Sequence, residues 1–167
     1  GGTCRQSNIV VLDFDLPKTG KELDGTRYEV LYGNVAKPDG LDVYIQWCRD
    51  RGRSFCIPCD TYSVVTRSGG FQQYWRVPEG TPIGNVPIGP MIDVRGVGNT
   101  KSTQNGGYVL GVGSVVNDTY NSGNIIRTGT YTIDRHKALP VSPMPEWLLK
   151  QLVTLNGHGE RPKRSGP

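Results

Sequence analysis

No stretch of this 167-residue chain is long and apolar enough for a membrane-crossing helix, so no membrane partner is expected. There is no G-K-[ST] phosphate loop, no G-x-S-x-G nucleophile elbow and no H-E-x-x-H pair. ATPase, esterase and zinc-protease readings therefore lack support. Cys56-Ile57-Pro58-Cys59 is a lone C-x-x-C, with Cys48 upstream, Cys4 far away, and the two histidines, His136 and His158, well downstream. A structural zinc would need further ligands nearby, so the thiols are read as buried or in loops. Aromatics make up only 8% of the chain, against 23 glycines and 12 prolines, which favours many turns and short strands over long helices. Charge of one sign is in mild excess: the net charge is +4, compatible with a polyanionic partner. The length suits one domain with a real core. Its expected extent is residues 1–155, followed by a disordered basic tail or linker over residues 156–167.

What the chain does have is a short apolar run ending in acid, Asn8-Ile9-Val10-Val11-Leu12-Asp13-Phe14-Asp15. Three of the four residues from Ile9 to Leu12 are β-branched, which marks a buried strand. Strand side chains alternate, so Asp13 and Asp15 share a face. Two carboxylates on one face repel unless a cation sits between them, and Mg²⁺ or Mn²⁺ suits oxygen ligands of this kind. The plainer alternative is a solvated strand end. A third aspartate, Asp93, lies in Met91-Ile92-Asp93-Val94-Arg95-Gly96, where Asp93 and Arg95 share a face.

Around these segments the pattern is mixed. Residues 39–49 carry apolar side chains at 41, 44, 45 and 48, a helical spacing with Asp39 as N-cap and a stop at Gly52. Strands are expected over residues 8–15, 61–67, 71–77, 91–95 and 107–112, with 130–133 a candidate for a last short one. Residues 78–90 read as a Gly/Pro loop and 117–130 as a loop or hairpin. A helix is expected over residues 146–155, with Pro145 in its first turn and Gly157 after its end. Four or five strands with two or three helices make an α+β domain.

Three further segments stand in order along the chain. They are Thr66-Arg67-Ser68-Gly69-Gly70-Phe71-Gln72-Gln73-Tyr74-Trp75, then Asn105-Gly106-Gly107-Tyr108-Val109-Leu110-Gly111-Val112-Gly113-Ser114, then Pro143-Met144-Pro145-Glu146-Trp147-Leu148. Together with the D-x-D strand and the Asp93 segment they resemble the bifunctional DNA primase/polymerase (prim-pol) domain of the archaeo-eukaryotic primase superfamily. That family shows a strand ending in D-x-D, a T-x-S-G-G-x-H-x-Y-F-like strand, D-x-R-G running into G-G-Y-V-V-x-x-x-S, and a P-L-P-x-W-L-like helix. The resemblance covers roughly residues 8 to 153. It departs from the family in three places. Gln72 stands where the family has histidine. Asn99-Thr100-Lys101-Ser102-Thr103-Gln104-Asn105 intervenes before G-G-Y. Only twelve residues precede Asp13, so the family's first layer is expected to be curtailed, or the chain to be an excerpt.

The resemblance implies a small mixed or antiparallel RRM-like palm sheet and a metal-dependent nucleotidyltransferase. Asp13, Asp15 and Asp93 would be the catalytic and metal-holding carboxylates, for Mg²⁺ or Mn²⁺. Ser68, Gly69, Gly70, Gln72 and Arg95 would contact the nucleotide. Arg67 or Arg76 would compensate for the charge that Gln72 cannot carry. Tyr108 is read as either a stacking platform or core, Ser114 as nucleotide-adjacent or structural, and Lys101 as a solvated loop residue. Expected partners are a DNA template and primer, dNTP or NTP, and a linked or separate replicative helicase, in the cytoplasm at a nucleoid or phage replication site. Two other functions compete: a non-catalytic nucleic-acid-binding module on the same fold, and a metal-dependent nuclease using the same aspartates.

Overall fold

The computed structural model describes residues 2–3, 7–16, 40–53, 61–66, 70–96, 108–119, 125–133 and 139–158. The strands are β1 (Gly2–Thr3), β2 (Ile9–Phe14), β3 (Ser63–Val65), β4 (Phe71–Arg76), β5 (Pro87–Gly89), β6 (Ile92–Arg95), β7 (Tyr108–Val109), β8 (Val115–Thr119), β9 (Ile125–Thr130), β10 (Thr132–Ile133) and β11 (Ser142–Pro143). The helices are α1 (Gly40–Asp50) and α2 (Glu146–His158). The fold is mixed α+β. Its main sheet runs β10-β3-β4-β2-β6-β5, and β11 joins β4 as a parallel neighbour. All the other pairings in that sheet are antiparallel. Among the described residues no helix is long and apolar enough to cross a membrane.

The acidic run forms the strand expected of it, and β2 lies near the sheet's middle, between β4 and β6. Val10, Leu12 and Phe14 face both helices. They pack with Trp75, Ile92 and Val94 from the neighbouring strands, Tyr44, Trp47 and Cys48 from α1, and Leu148 and Leu152 from α2. Burying each of these large side chains contributes roughly 1.5–3 kcal/mol, which makes this face the main source of stability. On the opposite face Ile9, Val11 and Tyr74 gather under Val109 of β7, leaving the Asp13 end of that face outside the apolar cluster.

α1 stops where glycine dictates. Gly52 takes a φ of +64°, its N–H bonds Arg49 O at 2.9 Å, and the Arg53 N–H bonds Cys48 O at 3.0 Å, a Schellman ending. The buried arc of α1 is Gly40, Tyr44, Trp47 and Cys48, with Leu41 and Ile45 only half-buried. Apolar spacing alone passed over Trp47, which stacks on Tyr44 and carries Arg51 above its ring at 4.0 Å. α2 continues through Gly157, which keeps a negative φ and so makes no terminating turn. The 107–112 strand shrinks to two residues because a turn closes at Gly113, φ +86°, with the Ser114 N–H on Gly111 O at 3.1 Å. The described residues of the 117–130 stretch belong to the antiparallel pair β8–β9. The 78–90 segment holds the edge strand β5, with Pro87 at its start, a place where a missing N–H is tolerated. The Asp39 cap, the C-x-x-C, His136, Arg67, Lys101 and residues 159–167 lie outside the described residues.

Candidate active site

Cross-strand register assembles the site. Asp13 of β2 stands opposite Gln72 of β4 on one side and Asp93 of β6 on the other. Leu12 and Phe14 turn to the helices, so alternation sends Asp13 to the other face, in a row Gln72–Asp13–Asp93 across three strands. Residues eighty positions apart in sequence thereby become direct neighbours. Arg95, two residues beyond Asp93 on the same face, places Nη2 2.9 Å from Asp93 Oδ2, so in this structure it pairs with that carboxylate.

Asp15 follows immediately after β2 and is held by its backbone. Its N–H bonds Met91 O at 2.8 Å, and its carbonyl accepts the Gly40 N–H at 2.8 Å. A Cβ on Gly40 would lie 2.2 Å from Met91 O and 2.9 Å from Asp15 N, so only glycine allows α1 to start this close. Met91 itself adopts a φ of 64° in the turn before β6. The junction of β2, α1 and β6 thus fixes the end of the strand that carries Asp13 and Asp15.

Gly70 also has a packing reason to be glycine. A Cβ there would meet Phe14 O at 2.3 Å. The Thr66 N–H bonds Gly70 O at 2.8 Å, and Phe71 pairs with Phe14, so the residues flanking Ser68 and Gly69 stand at the Asp15 end of β2. Ser68 and Gly69 themselves lie outside the described residues.

Gln72 is only 3% exposed. Its Oε1 accepts a hydrogen bond from the Tyr74 hydroxyl at 3.0 Å, and its side chain hydrogen-bonds the Asp13 carboxylate. Since a carboxylate only accepts, the amide N–H₂ faces Asp13. Alternation already put Tyr74 and Gln72 on one face. Tyr74 nonetheless escaped sequence reasoning, because nothing local says that its hydroxyl reaches back two residues.

The electrostatics of Asp13 are those of a crowded acid. Burial, then the neighbouring Asp15 charge, push its carboxyl from near 3.8 up to about 6. The Gln72 hydrogen bond and the Arg95 charge pull the other way, and Asp93 adds to the rise. Asp13 Oδ1 is buried with no hydrogen-bond partner. Such an oxygen costs about 1–3 kcal/mol unless a donor or a cation meets it. A hard divalent ion suits this set of oxygen donors. Among the described residues no three His, Cys, Asp or Glu side chains already converge as a closed metal-binding group. Asp93 instead leans on Arg95.

A protein-family model described as bifunctional DNA primase/polymerase, N-terminal (Prim-Pol), matches residues 2–147. The chain belongs to the Prim-Pol family. Membership implies a DNA primase/polymerase, a nucleotidyltransferase that binds DNA and nucleotides. No curated protein matches the chain. The Prim-Pol match takes in every strand from β1 to β11 and the first residues of α2, and so the whole row of Gln72, Asp13 and Asp93.

Proposed function

We propose that this domain performs template-directed nucleotidyl transfer, extending or initiating a DNA or primer strand, and that Asp13, Asp15 and Asp93 hold Mg²⁺ or Mn²⁺. The observation that carries the reading is the cross-strand row: a buried, unpartnered Asp13 oxygen beside Asp93, with Asp15 close enough to raise Asp13's pKa. Divalent ions held by these carboxylates would supply activation of the attacking 3′-hydroxyl and charge neutralisation for the leaving pyrophosphate. Asp13 contributes an anionic oxygen from a stiff central strand. Asp15 supplies a second from the strand's clamped end, and Asp93 a third from β6. Arg95 is placed to exchange its contact with Asp93 for a nucleotide phosphate, which its planar guanidinium can grip at two points. The Ser68-Gly69-Gly70 turn cradles the triphosphate by backbone N–H groups. The sheet is the RRM-like palm of the primase type, residues 1–155 form the catalytic domain, and a replicative helicase is the partner in the same process.

The competing readings separate in one assay. The chain is incubated with a primed DNA template, Mn²⁺ and dNTPs, and again without nucleotides. The proposal predicts longer products only with nucleotides. Shortened products without nucleotides would make the same carboxylates a nuclease site. Retained DNA binding with neither change would make the domain a binding module, a reading favoured by the Asp93–Arg95 pair and the unconverged carboxylates.

A further inference from the structure

Gln72, which the resemblance assigns to the nucleotide, is buried and turned toward Asp13. Its orientation is held by a chain of contacts running along one face of β3 and β4. The Tyr62 and Tyr74 rings meet edge to face, centroids 5.3 Å apart at 79°. Tyr74's backbone is pinned as well: its N–H bonds Tyr62 O at 3.0 Å, and its carbonyl accepts the Thr61 hydroxyl. The hydroxyl of this fixed ring donates to Gln72 Oε1 at 3.0 Å. With its oxygen occupied, the amide has one way to face, and its N–H₂ meets the Asp13 carboxylate across the strand pair. Without the hydroxyl the amide is free to flip and aim its own oxygen at Asp13, turning attraction into repulsion.

We propose that Tyr74 and Gln72 are positioning residues for Asp13: the tyrosine hydroxyl locks the glutamine amide, and the amide holds one carboxylate oxygen so that the buried Oδ1 faces a divalent cation. Ligating carboxylates generally depend on such hydrogen-bonded supports, whose loss costs about 10–100-fold in metal affinity or activity. The inference rests on the metal-dependent reading above and adds to it that the departure at Gln72 is a working support with its own partner. It also accounts for Asp13 being served by a neutral donor in place of a charged one.

The test is Mn²⁺ affinity of the 167-residue chain, read from the free-ion electron paramagnetic resonance signal, for the parent, Asp13→Asn, Tyr74→Phe, Gln72→Met and Gln72→His. Tyr74→Phe keeps the ring against Tyr62 and removes only the hydroxyl. Gln72→Met keeps the length and removes the donor, and it stands in should Tyr74→Phe not fold. The proposal expects Mn²⁺ binding to weaken about 10-fold or more in both Tyr74→Phe and Gln72→Met, and to stay near the parent in Gln72→His, whose ring N–H can still donate. In primer extension the half-saturating Mn²⁺ concentration rises in step while the rate at saturating Mn²⁺ changes far less, a split that general loosening of the fold would not give. Parent-like Mn²⁺ affinity in Tyr74→Phe and Gln72→Met, alongside loss in Asp13→Asn, overturns this inference and leaves the metal reading standing. Absence of Mn²⁺ binding in the parent removes both.

Discussion

Asp13 sits in surroundings unlike those of a surface carboxylate, and its pH behaviour follows from them. Its folded pKa, about 6, lies above the ordinary value near 3.8. The folded state therefore holds the proton more tightly than the unfolded chain. The stability this confers is full below about pH 4 and is lost as pH rises toward and through 6. Asp13→Asn cannot ionise and escapes that loss. Melting temperatures measured without divalent ions should show the variant gaining on the parent between pH 4 and 7, and Mn²⁺ should narrow the gap at pH 7 by stabilising the parent alone. A gap that does not change with pH would contradict the burial of this acid. A second residue-scale expectation concerns Gln73, on the helix-facing side of β4. It is fully buried, and neither its Nε2 nor its Oε1 finds a partner. Replacing an unpaired buried amide with an apolar chain of similar length removes a penalty of about 1–3 kcal/mol. Gln73→Met should raise the melting temperature by several degrees. Asp13 and Asp93 were singled out in the sequence by type and position, and the register makes them neighbours. The tie between Tyr74 and Gln72 was not legible there, since it depends on side-chain torsions that a period-two pattern leaves open.

Among the elements, the junction of β2, α1 and β6 decides whether the acidic end of β2 keeps its shape. Gly40 is the contact point. Alanine there would push against Met91 O and Asp15 N, both backbone atoms with little room to give. Gly40→Ala should cost about 1–3 kcal/mol, the usual range for overpacking, measured by denaturant unfolding. It should also lower extension activity at temperatures where the variant remains folded. Gly157, in α2 with nothing within 4 Å, makes the contrast: Gly157→Ala should be neutral or stabilise by up to about 1 kcal/mol. Equal effects at the two glycines would argue against the tight junction. β2, α1 and the β3–β4 pair were readable because apolar runs, helical spacing and the Gly52 stop are local signals. β5, β11 and the shortness of β7 were not, because two- and three-residue strands owe their existence to a neighbour's free edge rather than to their own sequence.

Over the whole molecule, the large apolar core and the proposed carboxylate site lie on opposite faces of one sheet. The helices and the large apolar cluster lie on the Val10, Leu12 and Phe14 side. The carboxylates lie on the other, and the Asp93–Arg95 pair is partly exposed, so it contributes no more than about 1 kcal/mol. Changing Asp93 should therefore leave the fold intact. The ordered motifs revealed the family and the α+β class. The sheet order did not show in the sequence: which strands flank β2 is settled by long-range pairing, which no local pattern encodes. The residues brought together by that pairing are proposed to form a nucleotidyl-transfer site. That proposal is tested most directly by Mn²⁺-supported extension of a primed DNA template by the parent chain and by Asp93→Asn, with matched melting curves. Extension by the parent is expected, with a loss of about 100-fold or more in the variant, the scale of several kcal/mol of charge stabilisation. Extension by Asp93→Asn at the parent's rate would contradict the proposal.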